Sequence, residues 1–530
     1  MADSVKANTV TARYRGIEFF SSKVGGTQAN EYNYTDIPSK LLFWDLFYVF
    51  YYGWSLPLII RPLRPRDGNH FDELAWGWGN AHSVLVHTVL LVMQLAFLMC
   101  IPVAFFIPPW VTAMFVGVFW AVTLLLCRTL NGSKMTYKSE PKYTAGTGRE
   151  AHEHEEWLYI NGICTGQHWL KSNLDRLALT FGRPIFGFHN STYGIIFDLL
   201  ECIAQRTFGY PTKDIRLGYV EVKRALCNKK NTKVVLILHS QGGIEGSAII
   251  DWLLQELPQD LLSKLEVYTF GCAANHFNNP FRSAAAEDEA ERKPLAAAVD
   301  AALSQPATIR SPSKPPAVDR HRHRHRHPQD NRNHPPPTPS TPSSPVLMPT
   351  PPASPGALAG RETGSRNPAA LSGSAIGHIE HYCHATDFVA LWGVLHFKAA
   401  SVADPTGASV FAGRVFSRAA AAWGMEGHLL CQHYLNAMFP LEKDPRTGEL
   451  VGCAETNDFM ESEVTVGANR QEARGGGPGS GTNGDGGGQL PGSPGFGVLV
   501  RGEKETMTRK VKELSRLWQY RNGRSPGMKV

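Results

Sequence analysis

Apolar residues are distributed along this chain in distinct patterns, and each pattern predicts a different kind of element. From Leu41 to Ile60 the sequence is dense in Phe, Tyr, Trp, Leu and Ile, interrupted by Asp45, Gly53 and Pro57. Ser83 to Ile107 carries no formal charge, nor does Trp110 to Cys127, and Pro108-Pro109 separates the two runs. Roughly 20 apolar residues cross a bilayer, so the first run is long enough and the second lies near the lower limit of about 17. The pair predicts a transmembrane helical hairpin over 76–130, with a shallow re-entrant hairpin as the alternative. The aromatic segment 41–60, within an N-terminal region 1–75, fits either an interfacial element or one packed in protein.

After a polar linker over 131–156, short β-prone runs alternate with stretches of helical period. Strands are expected near 157–163, 183–188, 233–239, 265–271, 378–383 and 410–417. Helices are expected near 167–180, 193–206, 214–227 and 243–256, with a closing helix near 429–438. This alternation predicts an α/β domain over 157–281 and 377–445, a mostly parallel sheet with helices on both faces. The stretch 282–376 interrupts it. That stretch is rich in Pro, Ser, Ala and Arg and contains an Arg-His repeat from Arg320 to His327. It lacks the apolar surface to offset its ordering entropy and is expected to be disordered.

A second biased segment, 446–505, is acidic and then glycine-rich. In the terminal stretch 506–530, Val511, Leu514, Leu517 and Trp518 stand among Arg509, Lys510, Lys512 and Arg516. That spacing predicts a basic amphipathic tail helix, suited to an anionic membrane face or simply solvated.

Composition narrows the classes. A length of 530 residues allows about three units, and the net charge of +6 is too mild to suggest a nucleic-acid binder. Nine cysteines without a CxxC pair argue for a reducing compartment, against a disulfide framework and against a zinc site. His152 and His154 stand among glutamates, but no second cluster accompanies them, so no metal or other cofactor is expected. The N-terminus shows no cleavable secretory signal. Arg61, Arg64 and Arg66 precede the hairpin, and Arg128, Lys134, Lys138 and Lys142 follow it. By the positive-inside rule both termini and the α/β domain are expected on the cytosolic side of a membrane.

The candidate chemistry lies in Val234-Val235-Leu236-Ile237-Leu238-His239-Ser240-Gln241-Gly242-Gly243. Apolar β-formers lead to a serine, glycines turn the chain, and Ile244, Ala248, Ile249, Trp252 and Leu253 continue at helical spacing. Strand, turn and helix with Ser240 at the apex is the context of a nucleophile elbow. A serine nucleophile needs a base and an acid that orients it, in the order Ser, Asp or Glu, His. Asp387, just beyond a predicted strand, is the candidate acid, although an aspartate at a strand-to-helix turn equally serves as a helix cap. His428 follows a glycine-punctuated loop and is the candidate base, with His433 the weaker one. His239 is expected on the opposite face by strand alternation. His378, His381 and His384 read as packing or surface groups. The backbone N–H of Gln241, with that of Gly162 or Ile163 after the first strand, would form an oxyanion hole.

The elbow resembles the G-x-S-x-G motif of lipase-like α/β-hydrolases, with Leu238 in place of its first glycine and Gly242 matching the second. That departure implies a looser elbow or a small residue opposite. With Tyr159 to Cys164 and Ile379 to Val389, the resemblance covers 157–281 and 377–440. It points to the serine esterase group in a fungal membrane-associated form. It implies a membrane-anchored hydrolase of a carboxylic ester, with a lipid-like substrate and membrane lipid as partner. A peptidase or amidase uses the same motifs. A catalytically inactive tether or binding module on the same fold is the alternative from another class. Nothing in the sequence indicates an oligomeric state.

Overall fold

The computed structural model describes residues 16–20, 37–64, 68–144, 152–282, 373–403, 411–419, 427–467 and 506–526. The expected disordered insertion, apart from its two ends, and the glycine-rich stretch 468–505 lie outside the described residues. At the base of the insertion Phe281–Arg282 pairs antiparallel with Gly373–Ser374.

An eight-stranded mixed sheet organises the described chain. Its strands are β1 (Ile17–Phe20), β2 (Thr136–Lys138), β3 (Glu155–Ile160), β4 (Ile185–Phe188), β5 (Lys233–His239), β6 (Leu265–Phe270), β7 (His378–His384) and β8 (Arg414–Arg418). They lie in the order β1-β8-β7-β6-β5-β3-β4-β2. The six central strands are parallel, and β1 and β2 close the edges antiparallel. Such strands must be apolar on both faces, and β5 shows why. Val235 and Ile237 join one core with Tyr268, Phe270 and Tyr382, while Leu236 and Leu238 join another with Val267 and Ile249.

The helices longer than ten residues are α1 (Pro38–Tyr51), α2 (Trp78–Cys100), α3 (Pro109–Asn131), α4 (Gln167–Phe181), α5 (Ile195–Phe208), α6 (Lys213–Cys227) and α7 (Gly242–Glu256), among the described residues. Leu170, Leu174 and Leu177 of α4 cover the first core, and Val222 of α6 with Ile249 and Leu253 of α7 the second. From β3 the chain first builds β4 on one side and then β5 on the other. The resulting switch point opens a crevice at the carboxyl ends of β3 and β5.

Helices α2 and α3, 23 residues each, are long and apolar enough to cross a membrane by length and composition. The second helix exceeds its uncharged run because it begins at Pro109 and continues through Arg128 to Asn131. Asn80, Ser83, His87 and Gln94 make a buried polar stripe on α2. Asn80 Oδ1 accepts from Trp169 Nε1 at 2.9 Å, and Gln94 Oε1 accepts from the Ile196 amide at 3.1 Å. From α3, Asn131 exchanges two hydrogen bonds with the backbone of Thr192.

Several segments differ from the expectation. The tail forms no long amphipathic helix: Thr506–Lys510 is a strand paired with Glu463–Gly467, followed by short turns over Val511–Leu514 and Leu517–Gly523. Val511, Leu517, Trp518 and Tyr520 are buried. The reason is electrostatic. Glu266 of β6 and Glu380 of β7 are buried, and the tail supplies their partners. Arg516 and the Tyr520 hydroxyl bond Glu266, and the amides of Arg516 and Leu517 bond Glu380. The start of the acidic segment is likewise ordered, Leu450–Cys453 pairing with Leu441–Lys443. The linker contributes edge strand β2 and the beginning of β3, where Glu155 pairs with buried Arg183. In the N-terminal region β1 completes the sheet, and α1 packs against α5.

The contact between α1 and α5 centres on one buried ion pair. Arg206 Nε lies 3.1 Å from Asp45 Oδ1, its NH2 group bonds the same oxygen, and Thr207 Oγ1 donates to Asp45 Oδ2 at 2.8 Å. The guanidinium also donates to the carbonyls of Ala273 and Trp392 and lies 3.7 Å over the Trp392 ring. Removing one partner leaves an uncompensated buried charge. Asp45→Ala is therefore expected to destabilise the fold by about 3–5 kcal/mol, read as a lowered denaturation midpoint in detergent.

Candidate active site

Ser240 sits at the crevice, in the turn between β5 and α7. Its φ of +59° lies in the left-handed region, which a non-glycine residue occupies at a cost of order 1–3 kcal/mol. Three backbone bonds hold it there. The Ser240 amide donates to Phe270 O at 3.1 Å, and Ser240 O accepts from Gly243 and Ala273 at 3.0 and 3.2 Å. Close approach explains the glycines: a side chain at Gly242 would put its Cβ 2.5 Å from Ile160 O. Leu238, the departure from the motif, is accommodated by Gly246 one turn further on, where any Cβ would overlap the leucine's methyl groups.

Asp387 follows β7 and is fully buried. Its Oδ1 accepts from the Val389 amide at 2.9 Å, capping the short helix Phe388–Trp392. Its Oδ2 accepts from His428 Nδ1 at 2.8 Å and from the Tyr434 hydroxyl at 2.6 Å. The cap and the orienting acid are thus the same carboxylate, one oxygen for each. Burial alone would raise its pKa, but His428, Tyr434 and the Val389 amide together hold it below the ordinary carboxylate value. With Nδ1 donating to Asp387, the ring's lone pair is on Nε2. That atom is buried and makes no hydrogen bond to any described residue, the Ser240 hydroxyl included. Catalytic hydrogen bonds are often loose without substrate and tighten in the complex.

The loop carrying His428 is held by N-terminal residues. The His428 amide donates to Ile59 O at 2.7 Å, and the Glu73 carboxylate accepts from the amides of Cys431 and Gln432 at 2.9 and 3.0 Å. His433, the weaker base candidate, accepts from the Leu429 amide through Nδ1, and its Nε2 lies 3.1 Å from Pro62 O. It is a brace for the loop. His239 is not remote from the site: its ring stacks on His428 at 4.8 Å and its Nε2 bonds His428 O. Alternation itself holds, with His239 on the Val235 and Ile237 side of β5; that side is not remote because the segment carrying His428 and Tyr434 folds over it. Burial, then the neighbouring His428, lowers its pKa to about 3, so it stays neutral beside the candidate base. His381 and His384 are buried packing groups, and His378 pairs with Glu380.

Gly162 presses directly on Ser240: a Cβ there would lie 2.8 Å from its Oγ. Among the described residues, the amides of Gly162, Ile163 and Gln241 make no hydrogen bond. A polar network fixes this loop. Asn161 Nδ2 donates to Gly162 O, Asn190 Nδ2 to Gln241 Oε1, and the Cys164 amide to Asp198 Oδ2. Cys164 is itself left-handed, at φ +57°.

Gly162, Ile163 and Gln241 are the residues the sequence offers for an oxyanion hole, whereas no motif marks Asn190, Asp198, Tyr434 or Gly271. The one signal for Gly271 was a glycine ending the strand beside the elbow strand. Its φ is +53°, and a Cβ would lie 2.8 Å from Asp387 Oδ2 and 2.9 Å from the His428 ring. The described residues hold no group of three or more side chains suited to a metal ion, and all nine cysteines are free.

No protein-family model matches the chain, and no curated protein matches it. Among solved structures, Trichoderma reesei cutinase in complex with a C11Y4 phosphonate inhibitor is 18% identical. The match covers 29% of this chain and 74% of that one, with a TM-score of 0.16. That likeness is too slight to bear on the fold or the chemistry, which rest on the geometry above.

Two substitutions test the geometry. Gly271→Ala is expected to displace the His428–Asp387 pair, read as loss of the downfield proton resonance of the His428 Nδ1–H···Asp387 hydrogen bond, with little loss of helix content by circular dichroism. Glu245, in the first turn of α7, is buried with both carboxylate oxygens unpaired among the described residues. Burial, then Asp214 and Glu201, raises its pKa well above normal. A carboxyl that binds its proton more tightly folded than unfolded contributes stability below the unfolded pKa of about 4.3 and loses it as pH rises towards the folded value. Glu245→Gln removes that loss, so the melting temperature of the variant relative to the parent is expected to increase from pH 5 to pH 8.

Proposed function

We propose that the chain is a membrane-anchored serine hydrolase of the lipase-like α/β-hydrolase type, cleaving a carboxylic ester of a lipid. The observation that carries this reading is the pairing of Asp387 Oδ2 with His428 Nδ1, which leaves Nε2 as a free, buried lone pair at the sheet edge that also bears Ser240. In this mechanism the serine hydroxyl closes on Nε2 to about 2.6–3.2 Å. Ser240 Oγ then attacks the ester carbonyl carbon as its proton passes to Nε2. The carbonyl oxygen becomes an oxyanion and accepts hydrogen bonds from the Gln241 amide and from that of Gly162 or Ile163. His428 returns the proton to the departing alcohol, and Asp387 stabilises the imidazolium without taking the proton. Water, deprotonated by the same histidine, releases the acid and restores the serine. Helices α2 and α3, exposed and uncharged over most of their length, are the anchor.

The chemistry calls for no cofactor. The membrane setting favours an ester over a peptide bond, since the substrate would come from the bilayer. A fluorophosphonate probe is expected to label the wild-type protein and not Ser240→Ala. Asp387→Asn is expected to lower turnover about 10⁴-fold, measured on an activated ester. Absence of labelling in the folded wild-type protein would favour a hydrolase-fold tether instead.

A further inference from the structure

Helix α1 is amphipathic in reverse. Leu42, Asp45, Val49 and Tyr52 face the protein, where Asp45 meets Arg206. Phe43, Phe47 and Phe50 recur at intervals of four and three along the opposite stripe, Trp54 follows in the short turn Gly53–Leu58, and all four are exposed, Phe50 by 81%. A helix facing water carries its polar residues outward. This one buries its carboxylate and presents aromatic rings.

The exposed stripe is continuous with two other apolar surfaces. Helix α5 packs against both α1 and α2. Its Phe197 stacks on Trp120 at 5.4 Å, and its Leu200 and Phe208 are exposed. On the hairpin, Leu85, Val92, Met99, Met114, Val118 and Leu125 are exposed. Contact between hairpin and body extends along α2 as far as Gln94, about 20 Å by helical rise from the hairpin tip near Ile107. A hydrocarbon core is about 30 Å thick. A hairpin inserted beyond that 20 Å would carry the N-terminal end of α5 into the lipid with it.

The inner stripe of α1 covers the candidate site. Leu42 and Val49, with Tyr52 and Ile59 beyond the helix and Ile163 after β3, pack on Ile244, Ala273, Phe388 and Trp392, residues that follow the carboxyl ends of β5, β6 and β7. Beneath them Ser240 is 3% exposed.

We infer that α1, α5 and the hairpin form one bilayer-docking face. The body lies side-on against a leaflet, and the ester reaches Ser240 from the hydrocarbon beneath α1 rather than from water. The inference deepens the proposed function and rests on it for the entry route, while the docking face can be tested without turnover.

The test places an environment-sensitive NBD fluorophore at Phe50→Cys, in full-length protein carrying Cys100→Ser and Cys227→Ser. Parallel labels sit at native Cys100 on the hairpin and at Lys229→Cys, just before the amino end of β5 and so at the end of the sheet away from Ser240. In phosphatidylcholine vesicles the labels at 50 and 100 are expected to shift to the blue and be quenched by brominated acyl chains. The label at 229 is expected to stay open to aqueous iodide. Iodide access at 50 with bromine quenching at 100 would mean that the hairpin anchors alone, and would overturn the docking face. Phe47→Asp with Phe50→Asp is then expected to lower turnover of a vesicle-embedded ester about ten-fold or more, the transfer cost of burying such groups. A water-soluble butyrate ester should be cleaved unchanged. Equal loss on both substrates would overturn the entry route. If neither ester is cleaved by the parent protein, the hydrolase reading and the entry route fail together, and the labels still decide the docking face.

Discussion

A carboxylate buried in this protein must find its hydrogen bonds within the chain, and the structure around Asp387 is built on that requirement. Its two oxygens accept from Val389, His428 and Tyr434, groups drawn from two segments well apart in sequence. An unpaired buried charge would cost several kcal/mol, so the three donors are held to one arrangement. That arrangement fixes the ring of His428 with Nδ1 inward and Nε2 free. Gly271 follows from it, since only a residue without a side chain fits between the carboxylate and the end of β6.

The same requirement recurs at the other end of the sheet and at its flank. Glu266 and Glu380 are matched by the C-terminal segment, and Asp45 by Arg206. Each pairing draws a segment remote in sequence onto the α/β body. The tail closes the base of the sheet, and the N-terminal aromatic helix closes the crevice at the top. The body, the cap and the uncharged hairpin therefore form one compact unit. The proposed chemistry and the proposed membrane contact meet at α1, which touches the site on one side and presents aromatic rings on the other.

Much of the central architecture was legible in the chain. The continuous apolar runs at 233–239 and 265–271 belong to strands buried on both faces, and they carry that signal locally. The elbow was legible because strand, turn and helix are adjacent in sequence and Gly242 and Gly243 mark the turn. The edge strands were not. β1 and β2 are short, and only pairing with β8 and β4 makes them strands. The tail misled for a related reason. Its apolar residues at 511, 514, 517 and 518 suit a helix facing a membrane, yet all but the partly buried Leu514 are buried, because two distant glutamates require Arg516 and its neighbours.

By itself, the sequence determined the α/β class, the position of Ser240 in a turn, the acid-then-histidine order, and two uncharged apolar runs of about the length a bilayer needs. These are local or periodic properties, written in residues that are neighbours along the chain. Only the tertiary structure decided that Asp387 is both cap and partner of His428, that His239 lies beside that ring, and that Gly246 makes room for Leu238. It likewise decided that α1 packs on residues that follow the carboxyl ends of β5, β6 and β7, beside Ser240. Each of these depends on a distance between groups brought together by folding, and the spacing of residues along a chain carries no record of that distance.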